Sequence, residues 1–244
     1  MSAPTERAAA IGERVVAIHQ PNFLPWLGYF DKLARCDVFV LLDSVQFPKR
    51  NGTWMNRVKL LIGGEPAWVT VPVVRAYHGL RRIDEMQIDD SRPWRRKLLA
   101  SIEQGYRRAA HFDETMPLVT ELLMDESPLL ADYNEAGVRR LAAAVGLDVG
   151  KFVRASSLDV SGAATDLLIE ITRKLGGATY LAGGGAGGYQ EDEKFAAAGV
   201  GLRYQAFEHP TYPQSTASPQ HGLSIIDALM HCGSAETALL LGPR

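Results

Sequence analysis

His19-Gln20-Pro21-Asn22 sets polar and backbone-fixing residues directly behind the apolar run Val15–Ile18. A histidine where a strand gives way to a helix can bind an anionic oxygen while the helix dipole favours the same charge. Its unperturbed pKa also suits proton transfer near neutrality, so His19 reads as a general base or an oxyanion donor. Gln20 and Asn22 supply amides that can orient a reacting carbonyl, and Pro21 fixes the backbone between them. The competing reading is local, with Asn22 as a helix N-cap and His19 as a satisfied strand-end residue.

A segment of similar composition, His209-Pro210-Thr211-Tyr212-Pro213-Gln214, follows the last expected strand. Two proline-stiffened, histidine-bearing segments at strand ends imply one pocket lined from two sides, with His209 as the second catalytic candidate and Tyr212 and Gln214 closing the wall. An ordinary X-Pro loop explains this segment as well. The run Gly183–Gly188 also follows a strand. There the backbone of Gly184 and Gly185 can approach an anion closely, with Tyr189 beside it. The run lacks a P-loop ending, and a flexible turn accounts for it equally. Lys49, Arg50, Asn56, Arg57 and Lys59 form a basic cluster around Trp54. Lys49 and Arg50 suit an anionic substrate group, and Asp43, Gln46 and Asn56 complete the candidate binding set. Arg57 and Lys59 alternate with apolar residues, as on a half-exposed strand, which argues for a solvated face there.

Other chemistries have weaker support. Cys36 reads as a small core residue, and Cys232 neighbours His231 in sequence, an arrangement that does not bring side chains face to face on a helix. The histidines and acids show no metal-ligand spacing, and no metal is expected.

These residues need elements to hold them. The stretch from Val15 to Asp43 reads strand, helix, strand: an apolar run, a helix-period segment (Leu24, Leu27, Phe30, Leu33, Ala34) and a second apolar run from Asp37. A polar loop follows, then β-rich runs over Asn56–Leu61 and Ala67–Val73 that read as a hairpin, with a short strand expected over Ile83–Ile88. Helical periodicity covers Trp94–Ala109, Asp113–Met124 and Leu129–Val145. Strands are then expected at Phe152–Ser156, Ala178–Ala182 and Leu202–Phe207. Helices are expected from Ser161 or Ala164 to Leu175, over Asp192–Ala198, and over Leu223–Cys232 and Ala235–Leu241. The result is an α/β fold: a Rossmann-like, largely parallel sheet with an inserted β-hairpin and a helical segment at about 92–148. Residues 1–13 read as a tail and 14–244 as a single domain.

The chain has 244 residues, with 26 basic and 28 acidic side chains and a net charge of −2. That near balance gives no reason to expect DNA as a partner. Two cysteines fit a reducing cytoplasm, and no apolar run is long enough to insert in a membrane.

The first strand–helix–strand unit is similar to that of the nucleotidylyltransferase superfamily, whose His-x-Gly-His signature binds nucleotide phosphates. Here Pro21 and Asn22 stand in place of its glycine and second histidine. Across nearly the whole chain the sequence resembles the WbqC-like family. The blocks that carry the resemblance are HQPNFLPWLGYFDKLARCDVFVLLDSVQF, NRVKL with AWVTVPV, ATYLAGGGAGGY, and FEHPTYPQ followed by LSIIDALMHCG. That family is known chiefly from bacterial gene clusters for O-antigen and other surface polysaccharides, and from natural-product clusters. The resemblance implies amide-forming transfer of an acyl or aminoacyl group onto an amine-bearing sugar nucleotide or small metabolite. Its donor would be ATP-activated, acyl-activated, carried on a carrier protein or on a charged tRNA. Two alternatives stand beside it: a nucleotidyltransferase or adenylate-forming ligase, and a non-catalytic scaffold of a biosynthetic complex.

Overall fold

The computed structural model describes residues 14–49, 53–184 and 191–242. Val15–His19 (β1) is apolar on both sides because both faces of its sheet are covered. Val16 and Ile18 pack into one core and Val15 and Ala17 into another. Val38–Leu41 (β2), Phe152–Arg154 (β5), Thr179–Ala182 (β6) and Gly201–Tyr204 (β7) complete the sheet, in the order β5-β2-β1-β6-β7. Every pairing in it is parallel. Counting its strands along the chain, the order is 3-2-1-4-5, the Rossmann arrangement, which reverses between β1 and β6.

The helices form layers on the two faces. Leu27–Ala34 (α1) covers one face, where Trp94–Tyr106 (α2), Phe112–Met124 (α3), Leu130–Ala144 (α4) and Ile225–Leu239 (α7) join it in the larger core. Ala164–Lys174 (α5) and Asp192–Ala197 (α6) cover the other face through Leu167, Ile169, Ile171 and Phe195. Arg57–Ile62 (β3) and Glu65–Thr70 (β4) form an antiparallel hairpin apart from the main sheet. Gly63 and Gly64 both take positive φ at its turn, as a tight two-residue connection requires. No helix among the described residues is long and apolar enough to cross a membrane.

One segment differs from expectation. Ile83–Ile88 is not a strand; Ile83–Glu85 is a 3-10 turn, and only an isolated bridge joins Val73 to Ile88. The Glu85 carboxylate accepts the Arg82 backbone N–H at 2.8 Å, and this local closure competes with sheet pairing. The two expected C-terminal helices are both present within α7, separated by the non-helical Gly233 (φ 74°, ψ 176°). The carbonyls before the break are capped from α3: His111 N–H donates to Met230 O (2.9 Å) and Thr115 Oγ1 to Leu229 O (3.1 Å).

A methyl group on Gly233 would stand 2.6 Å from His111 Nδ1, in a backbone conformation that L side chains avoid. Gly233→Ala is therefore expected to cost on the order of 2 kcal/mol, a fall in Tm of roughly 4–8 °C by calorimetry.

Candidate functional site

The sheet's order reverses between β1 and β6, and at their carboxyl ends a cleft of about 460 Å³ opens. Ligands in open α/β sheets bind at this point. His19 ends β1, Gly183 and Gly184 follow β6, and Gln205, Phe207 and His209 follow β7. Trp26 and Gly28 come from the start of α1, and Trp54 and Gly222 from loops that close over it. Gly28 is required there. A methyl on it would come 2.6 Å from Trp26 Nε1 and 2.8 Å from Phe207 Cδ1, the two rings that make the wall. Gln205 fastens that wall, its Nε2 donating to Gly28 O (2.7 Å) and Asp31 Oδ2 (2.6 Å).

The chemistry of His19 follows from its neighbours. Its Nδ1 lies 3.1 Å from Gln20 O, and a carbonyl only accepts, so Nδ1 carries the proton. That leaves the Nε2 lone pair as an acceptor. Tyr29 packs edge-on at 4.7 Å between ring centroids and Trp26 at 5.8 Å. Burial, and then the charge of Lys32, push its pKa down to about 3 against the Gln20 carbonyl. His19 is thus neutral and a weak base, and in this tautomer Nε2 cannot donate to an oxyanion. Its role narrows to accepting an N–H or O–H from a bound molecule.

Lys32, which the sequence reading passed over, is buried behind the cleft. It is 2% exposed, its Nζ donates to Ile18 O at 2.8 Å, and it forms no ion pair with a described residue. A methyl on Gly183 would stand 3.9 Å from Nζ, which puts the amine close behind this cleft-lining glycine, although Lys32 does not itself line the cleft. Burial pulls its pKa down to about 7, against a smaller effect of Cys36. The signal was present in the sequence. Its neighbours Gly28, Tyr29, Leu33 and Cys36 are buried, and only Arg35 on that side of the helix reaches the surface.

The structure brings His19, Gly184 and His209 together in the cleft. Burial and then the nearby His221, 5.4 Å away between ring centroids, lower the pKa of His209. Gln20 contributes its carbonyl behind His19. Other candidates serve elsewhere. Asn22 is 1% exposed, does not face the cleft, and neither end of its amide meets a described partner. Asp43 holds Ser156 through its N–H (2.9 Å) and Oγ (2.6 Å), joining the ends of β2 and β5. Asn56 is buried too, donating to Val71 O (3.1 Å) and accepting Thr53 N–H (3.2 Å). Gln46 is exposed beside Arg82, and Lys49 lies over the Tyr77 ring at 5.6 Å. Arg50, Gly185 and Tyr189 lie outside the described residues.

Tyr212 and Gln214 do not face the cleft; they pin the strap that carries His209. Tyr212 Oη (2.8 Å) and Gln214 Nε2 (2.9 Å) both donate to Asp227 Oδ2, and Tyr106 Oη donates to Oδ1 (2.8 Å). Ser215 Oγ lies 2.9 Å from His231 Nε2, which brings serine-triad residue types together. However, His231 Nδ1 donates to the Asp227 backbone carbonyl (2.8 Å), and the carboxylate is occupied by its three other donors. Nε2 also accepts the Ser215 N–H (3.1 Å), and the Asp227 carboxylate stands 3.7 Å from Nδ1, beyond hydrogen-bond reach, so this contact ties the strap down and is not oriented as a triad requires. Neither thiol ionises near neutrality: burial drives Cys36 up to about 12, and burial followed by Asp227 raises Cys232. Among the described residues no group of three or more His, Cys, Asp or Glu could hold a metal ion.

Comparison with known proteins adds two findings. The profile of the WbqC-like protein family matches residues 20–239. The uncharacterized protein Rv1507c of Mycobacterium tuberculosis is 25% identical over 221 residues, covering 90% of this chain and 94% of that one. No solved structure matches the chain.

Proposed function

The chain belongs to the WbqC-like protein family, and from that premise and the cleft's geometry we propose that it transfers an acyl or aminoacyl group to an amine, forming an amide. The acceptor is an amine-bearing sugar nucleotide or similar metabolite. The donor is an activated acyl group on a small carrier, a carrier protein or a charged tRNA. Such reactants place the reaction in the cytoplasm.

One arrangement carries the reading: the buried Lys32 amine, which burial pulls down to about 7, lies close behind the cleft-lining Gly183, with a neutral His19 imidazole whose acceptor nitrogen is free. Amide formation can use such a pair. An amine acceptor arrives as an ammonium and must lose a proton before it can attack, and a base with pKa near the operating pH takes it best. Lys32 receives this proton. His19 Nε2 accepts an N–H of the acceptor and fixes the direction of its lone pair. The nitrogen then bonds to the donor's carbonyl carbon, the bond to the leaving group breaks, and the group departs with the electron pair and takes up the second proton that the nitrogen releases. His209 stands on the facing wall.

A thermal-shift screen against acetyl-CoA, ATP, CTP and nucleotide-linked amino sugars tests whether the cleft takes these reactants. At one hundred times its Kd a ligand adds about 2.7 kcal/mol of stability. We expect a shift of several degrees with a sugar nucleotide or the acyl donor, lost in His19→Ala. A shift with ATP or CTP alone would favour nucleotidyl transfer or adenylate formation. No shift with any of them would favour the scaffold.

A further inference from the structure

Trp54 belongs to two assemblies. It lines the cleft beside Trp26, their ring centroids 5.0 Å apart, and it meets Trp68 of β4 edge-on at 5.2 Å. Trp54 and Trp68 are 39% and 43% exposed, a large apolar area to leave in water at a cleft mouth. Two cations of β3 flank them: the Arg57 guanidinium is 4.3 Å and the Lys59 ammonium 5.3 Å from the Trp68 centroid. Neither cation forms an ion pair with a described residue, and Arg57 Nε is buried without a hydrogen-bond partner among them. The hairpin's acid, Glu65, sits at the turn opposite Ile62 and leaves this end positive.

This combination narrows the ligand. A neutral saccharide would use the rings and leave the charges idle, and a simple anion would do the reverse. A nucleic acid would need a basic surface that continues beyond two side chains, and the net charge of −2 speaks against one. A small molecule with both a flat ring and phosphate oxygens uses every part.

We infer that Trp54, Trp68, Arg57 and Lys59 form the seat of a nucleoside diphosphate at the mouth of the cleft. The base stacks on the exposed face of Trp54. The diphosphate bonds Arg57 and Lys59, which Trp68 holds by cation–π contact, and the attached sugar passes Trp26 towards His19. This deepens the transferase reading and rests on it for the sugar, but not for the nucleotide.

The test is equilibrium titration of tryptophan fluorescence, backed by calorimetry, with the diphosphates of uridine, thymidine, guanosine and cytidine, and with maltotriose as the neutral control. At least one diphosphate should bind, and both Lys59→Glu and Trp54→Ala should weaken it tenfold or more. Lys59→Glu is a surface change, so its loss of binding cannot be put down to unfolding, which a melting curve of each variant checks. The inference fails if no diphosphate binds, if neither substitution changes the affinity by more than twofold, or if maltotriose binds as tightly. Nucleotide binding without amide formation would remove the transferase reading and leave the seat. Amide formation indifferent to both substitutions would remove the seat and leave the transferase.

Discussion

Lys32→Met is expected to lose amide-forming turnover by a factor of roughly 10²–10⁴, the usual contribution of a positioned general base, while remaining folded. The same substitution should leave a signature in stability. Burial lowers the pKa of Lys32 from 10.5 to about 7, so between those values the unfolded chain binds more protons than the folded one. Folding stability from this group therefore rises with pH through that window, and below pH 7 its penalty is fully present. Each pKa unit is worth about 1.4 kcal/mol, which puts the penalty on the order of 5 kcal/mol. Methionine fills similar space and carries no charge to bury, though it leaves the Ile18 carbonyl without this donor. The Tm of Lys32→Met minus that of the natural chain should be largest below pH 7 and shrink steadily towards pH 10.5. A difference that stays flat across this range would show that Lys32 is not the proton-exchanging group.

The second large effect is expected at Asp227, whose carboxylate is fully buried and accepts from Tyr106, Tyr212 and Gln214. Asp227→Ala leaves those donors without their acceptor in the core. Breaking such a network costs about 3–5 kcal/mol, or a fall in Tm on the order of 10 °C. Tyr212→Phe removes one donor and leaves the acceptor satisfied by the others, so about 1 kcal/mol is expected. Because the strap from β7 to α7 carries His209 into the cleft, Asp227→Ala should also weaken binding to the cleft at temperatures where it is still folded. Chemical denaturation of the three proteins checks the order. A cost below 1 kcal/mol for Asp227→Ala would mean that the strap is held by other contacts.

The sheet was legible because its signal is local: apolar runs at Val15–Ile18 and Ala178–Ala182, each ending in polar or glycine residues, mark buried parallel strands and their carboxyl ends. That reasoning found His19 and the glycine run, and so the place of the cleft. Ile83–Ile88 misled because β-like composition there competes with acidic side chains that close a turn on themselves. Site residues were read less well. Asp43, Asn56, Tyr212 and Gln214 looked like ligand groups because they are polar and sit near strand ends. Their partners Ser156, Val71 and Asp227 come from other elements, and nothing in the adjacent sequence reveals such pairings. Lys32 was hidden by the opposite error. A lysine on a helix is ordinarily taken as solvated, and only its apolar neighbours Tyr29, Leu33 and Cys36 hint that it is buried. Arg57 and Lys59 were seen as a cluster around Trp54, and their alternation was read as a solvated face. What changes that reading is Trp68, which the hairpin register brings opposite Lys59.

Mass spectrometry of the products formed from nucleotide-linked amino sugars and an activated donor tests the central claim most directly. The donors to supply are acetyl-CoA, a charged tRNA, and ATP with a carboxylic acid. The account predicts, for one pairing, a product heavier than the acceptor by the acyl group, formed by the natural chain and absent with His19→Ala and Lys32→Met. No such product from any pairing, or equal yields from both variants, would contradict it.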